Sequence, residues 1–204
     1  MKPDEIFEQV SLFLPKYLTP SQKQELYSEM QKFPGATQFY LHRPDLRDQL
    51  LQGDGWQGFI AINFHTGQRK AVSGVILSNS CDVSTDNPRT LPVNILFAPL
   101  VSLSQYEQLL LANGKTPAQV GSQFNEIRNQ KVTSMFYLPR LSGVIEESII
   151  LLDNIHVHPL RDFLEVSHEP LFQLNQFAFY FFLIKLSIHF CRFQEDIQRF
   201  EDAA

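Results

Sequence analysis

Five consecutive residues, Ser78-Asn79-Ser80-Cys81-Asp82, place two hydroxyls, an amide, a thiol and a carboxylate side by side. They follow an apolar run, Val75-Ile76-Leu77, the pattern of a buried strand that ends by delivering small polar groups to a surface. Hydroxyls and exposed amides can bind an oxyanion, and a carboxylate can orient a cation or a base. The competing reading is a strand end whose Ser, Asn and Asp side chains satisfy backbone groups in a turn. Arg69, Lys70 and Arg89 are the basic residues between 53 and 100. If the two loops that carry them lie together, they flank the Ser-Asn-Ser string as a phosphate cleft. Cys81 becomes a nucleophile only with a histidine in reach, and is otherwise a structural thiol. His156 and His158 share one face of a strand, but no second ligand pair at zinc spacing accompanies them. No metal or cofactor is expected.

Composition limits the function classes. Net charge is −5, from 22 acidic and 17 basic residues in 204. Phosphate contacts dominate nucleic-acid affinity, so this balance argues against an extended DNA-binding surface and leaves room only for a local basic cleft. At 44% hydrophobic and 19% charged, the chain can fill a core. Two distant cysteines and an N-terminus without an apolar leader point to a reducing, cytoplasmic setting. The apolar run 177–184 is too short to span a bilayer.

The elements that must position these residues are read from period and punctuation. A helix is expected over 3–14, and a second from Thr19-Pro20-Ser21-Gln22, a capping-box start, to about Phe33. A further turn or two is expected over 45–51. Residues 56–64 and 71–77 form a hairpin, and 92–100 a third strand. Two short helices over 104–111 and 117–129 interrupt the sheet, which resumes at 132–138 and 148–157. From Ser167 to Phe200 a long helix is expected, about 45 Å at 1.5 Å per residue. Its middle is apolar all round, which suits burial on several sides or a dimer seam. The fold class is α+β. One integrated domain is expected, with an N-terminal helical arm (1–52), a β-structure (53–165) with a helical insertion (104–130), and a C-terminal helix (166–204).

The order of motifs between Gly53 and Phe163 resembles the MazF/PemK family of SH3-like barrels. The resemblance rests on Gly53-Asp54-Gly55-Trp56, on Gln68-Arg69-Lys70-Ala71 leading to Val75-Ile76-Leu77-Ser78-Asn79, and on Pro92 to Leu100. Glu147 to Ile155 and Pro159-Leu160-Arg161 complete it. It covers about half the chain and implies a prokaryotic protein that binds or cleaves single-stranded RNA without a metal, in a toxin–antitoxin or phage-defence system. By position Arg69 matches the family's phosphate-contacting arginine, and the matching hydroxyl falls near Thr90. The candidate catalytic set is Arg69, Ser78, Ser80 and Asp82; the candidate substrate contacts are Lys70, Asn79, Arg89 and Thr90. Two other readings stand beside it: a non-catalytic assembly subunit, with a protein partner or a homodimer through the last helix, and a sensor of a small ligand or nucleotide.

Overall fold

The computed structural model describes residues 18–190, apart from 34, 36, 37 and 88. The helix expected over 3–14 and the part of the last helix beyond Phe190 lie outside the described residues.

Helix α1 (Pro20–Lys32) starts at its capping box. The Gln22 N–H donates to Thr19 Oγ1 (3.3 Å), and the Thr19 N–H donates to Gln22 Oε1 (2.9 Å). The chain then runs through β1 (Tyr40–Leu41) and a 3-10 turn (Pro44–Leu46) into the hairpin β2 (Gly55–Ile62) and β3 (Arg69–Ile76). A one-turn helix α2 (Ser80–Val83) leads to β4 (Asn94–Ser102). Helices α3 (Leu103–Ala112) and α4 (Pro117–Arg128) follow, capped by Ser102 and Thr116. The chain finishes with β5 (Met135–Leu138), β6 (Ser148–Leu151), β7 (His156–Pro159), α5 (Leu160–Glu165), β8 (Glu169–Leu174) and α6 (Gln176–Phe190). The class is α+β. Among the described residues no helix is long and apolar enough to cross a membrane.

The strands form an antiparallel sheet in the order β1-β8-β2-β3-β4-β6-β5. On its side away from β3, β4 carries β7 along Asn94–Phe97 and β6 along Leu100–Ser102. Three strand spacings separate β2 from β7, about 14 Å in a flat sheet. Yet the rings of Phe59 on β2 and His158 on β7 lie 6.3 Å apart, so the sheet curls. Its concave side holds a core of Trp56, Phe59, Ile76, Ile95, Phe97 and Phe163. The other side packs Val75, Leu77, Phe136, Ile150 and Phe172 against Phe181 and Phe182 of α6. Helices α3 and α4 cover Tyr137 and Ile149.

The structure corrects the C-terminal expectation. Residues 169–174 are strand β8, and the helix begins only at Gln176. Phe172, Gln173 and Leu174 are all buried, so no polar–apolar alternation marked the strand. Asn175 ends it and starts the helix: its Oδ1 accepts the Ala178 N–H (2.8 Å) and its carbonyl the Phe179 N–H (2.9 Å). The apolar girth of α6 is used inside the chain, between the sheet and Leu26 of α1. The single strand expected over 148–157 is two, β6 and β7, because Asp153-Asn154 turns the chain between them.

Gly58 controls how the hairpin leaves the sheet. Its φ is +100°, and a Cβ there would lie 2.6 Å from the Ser167 carbonyl oxygen. The β2–β3 register shifts at this point, and β2 pairs with β8 only through Gln57. Beyond it, Ile60 to Ala71 runs on as a two-stranded ribbon, exposed toward its tip. Gly58→Ala is expected to cost about 2 kcal/mol, from the left-handed backbone and the overlap with fixed backbone. A lower urea midpoint at unchanged m-value checks it.

Candidate functional site

The Ser78–Asp82 string sits where β3 ends, and its side chains tie three segments together. Ser78 Oγ accepts the Leu96 N–H of β4 (2.8 Å). Ser80 Oγ accepts the Gln52 N–H (2.9 Å), while the Gln52 amide donates to the Leu77 carbonyl (2.7 Å). Asn79 Oδ1 caps α2 through the Cys81 N–H (2.9 Å). Asp82 accepts from Arg89 Nη2 at 2.6 Å, so it holds Arg89 and not Arg69. Thr90 is exposed beside that pair, and Cys81 is an exposed free thiol.

Arg69 and Lys70 lie elsewhere. Arg69 pairs with Ile62 near the hairpin turn, seven residues up β3 from Ile76. At about 3.3 Å per residue that is some 23 Å from the strand end that carries the string. The structure therefore groups Ser78, Asn79, Ser80, Asp82 and Arg89, and sets Arg69 and Lys70 apart on the ribbon. No single cleft joins them. At the ribbon tip Phe64 is 91% exposed, and His65, Arg69 and Lys70 on the same hairpin are exposed too.

The paired histidines serve the concave core. His156 stacks on Phe97 (5.5 Å between centroids), and His158 is buried against Phe59 and Phe163. Burial holds the His158 pKa below its usual value. Its Nδ1 and the Trp56 Nε1 are buried without a hydrogen-bond partner among the described residues. Among the described residues no three His, Cys, Asp or Glu side chains are grouped to hold a metal ion.

Sequence reasoning missed two constellations. In the first, Glu147 takes a two-pronged hydrogen bond from Arg128 (Nε and Nη2, each 2.9 Å) and one from the Tyr137 hydroxyl (2.5 Å). Arg128 holds the Glu147 carboxyl below the usual range, and the set locks α4 onto β5 and β6. In the second, an open cleft of about 890 Å³ lies between residues 38–47, 139–144 and 170–173. Arg43, Arg47, Arg140 and His42 line it, and among the described residues no carboxylate does. The signal was too diffuse to find, because its arginines come from segments almost a hundred residues apart.

No family model matches the sequence, and no curated protein shows significant similarity to it.

Proposed function

We propose that this chain is a MazF/PemK-like protein, built on an SH3-like barrel, that binds single-stranded RNA through the β2–β3 ribbon. The observation that carries the reading is the ribbon itself: an almost fully exposed phenylalanine and two exposed cations on one hairpin, with no acidic residue from 55 to 81. A ring for base stacking and cations for phosphates are what sequence-tolerant single-strand binding uses. The barrel reading is supported by β8 returning to β2 after the short helix α5, with β3, β4 and β7 completing the curled set. A prokaryotic setting and a toxin–antitoxin or phage-defence role rest on the resemblance alone, and a cytoplasmic setting rests on the two distant cysteines. The role proposed is binding. Ser78, Ser80 and Asp82, which cleavage would need beside Arg69, are at the far end of β3 and already hold backbone and Arg89.

Fluorescence anisotropy with a labelled mixed-sequence single-stranded RNA tests this. The charge-reversed pair Arg69→Glu and Lys70→Glu is expected to weaken binding about tenfold or more, and to reduce the salt slope by about two. Phe64→Ala is expected to weaken binding without changing that slope. Affinity equal in all variants sinks the reading. RNA cut by the wild type but not by Arg69→Ala replaces binding with endoribonuclease activity.

A further inference from the structure

The arginine cleft is independent of the ribbon, and most of its wall lies outside the strands that resemble the barrel. It opens between the two ends of the sheet. On one side is β1, which pairs only with β8 and has no strand on its outer edge among the described residues. On the other is the chain leaving β5, where the Tyr40 hydroxyl donates to the Pro139 carbonyl (2.5 Å) across the cleft. Leu141, Val144, Pro170 and Leu171 add apolar wall.

Charge here departs from the rest of the molecule. The chain is net −5, yet among the described residues the cleft lining carries three arginines and no carboxylate. Arg43 is held by Asp45 through two hydrogen bonds (2.8 and 2.6 Å). Arg47 and Arg140 form no ion pair with a described residue, although Arg140 is near enough to Glu147 to help lower its pKa. Two guanidinium forks over an aliphatic wall match carboxylates flanking apolar side chains. They match nucleobases poorly, because the Tyr40 ring is already packed against Phe39 (5.6 Å) and Phe172 (5.3 Å).

We infer that this cleft is a docking site for an extended acidic peptide segment of a partner protein, which adds as a strand to the free edge of β1. Backbone pairing along β1 supplies affinity, the aliphatic wall takes alternate side chains, and Arg47 and Arg140 select for carboxylates.

The probe is a short fluorescein-labelled peptide alternating glutamate and valine, set against the same peptide with lysine for glutamate and against single-stranded RNA. The acidic peptide is expected to bind saturably and to slow amide exchange in residues 39–42. Arg47→Glu combined with Arg140→Glu is expected to weaken it about tenfold or more. Both arginines are exposed, so an unchanged melting temperature verifies the fold of that variant. The inference is overturned if the acidic peptide fails to saturate at millimolar concentration, or binds no better than its lysine counterpart. Unchanged affinity in the double variant, or displacement of the peptide by RNA, overturns it too. Substitutions at Arg69 and Lys70 leave this site intact, so its failure and that of the RNA reading are separable.

Discussion

Asp54→Asn will abolish a loss of stability that the wild-type protein shows between about pH 4 and pH 7. Asp54 is 5% exposed; its Oδ1 accepts the Leu174 N–H (3.1 Å), the Gln173 side chain is near enough to favour its charged form as well, and its Oδ2 has no hydrogen-bond partner among the described residues. Burial pushes its pKa from 3.8 up to about 7. The folded state therefore keeps a proton that the unfolded chain has released. Its stabilising contribution is complete below the unfolded value of 3.8 and is lost as pH rises through the folded value near 7. Three pK units correspond to about 4 kcal/mol. Asparagine keeps the acceptor for Leu174 and never ionises. The gap between variant and wild type, from urea titrations across this range, is expected to open by up to about 4 kcal/mol in the variant's favour. Parallel stability curves would show that Asp54 ionises freely in the fold.

Lys185→Met will act in the opposite direction at alkaline pH. Lys185 is 5% exposed on α6, beside Phe181 and Phe182, and donates to the Gln130 carbonyl just past the end of α4. Burial lowers its pKa from 10.5 to about 8. A lysine whose folded pKa is depressed contributes stability that is present above its unfolded pKa and is lost as pH falls through the folded one. At pH 7 the fold holds a charged ammonium in its interior at a cost of about 3 kcal/mol. Methionine fills a similar volume without charge and leaves one carbonyl unpaired, which costs about 1 kcal/mol. The variant is expected to be about 2 kcal/mol more stable at pH 7, with the advantage fading between pH 8 and 10.5. An advantage that stays constant over that window sinks the assignment. Because the Asp54 penalty is complete where the Lys185 penalty is still full, these two groups give the wild type a stability trough near pH 7 to 8.

What was legible in the sequence was local. Thr19 and Thr116, each with Pro next and Gln at the third position, mark helix starts because the caps are made by neighbours in the chain. The hairpin was legible from its β-rich runs on either side of His65-Thr66-Gly67. Strand β8 was not, because burial on both faces erased the alternation that identifies a strand. The Ser78–Asp82 string was correctly read as a strand end rich in polar groups. Its purpose there depends on partners 18 and 28 residues away, Leu96 for Ser78 and Gln52 for Ser80. Which face Arg69 would share with the string was likewise a question of strand length, and an extended β3 answers it by separating them. Arg47 and Arg140 line one cleft because β1 and β5 end the same sheet, a juxtaposition that no spacing rule carries.

Tethering the two ends of that sheet has a consequence for solubility. An antiparallel sheet with open edges invites end-to-end growth into aggregates. Here one terminal strand is two residues long, arginines follow it, and a tyrosine hydroxyl ties it to the chain leaving the opposite terminal strand. Such an edge is long enough to receive one short guest and too short and too charged to template the next copy of the chain. The protein can thus keep a receptive edge in the cell without polymerising through it.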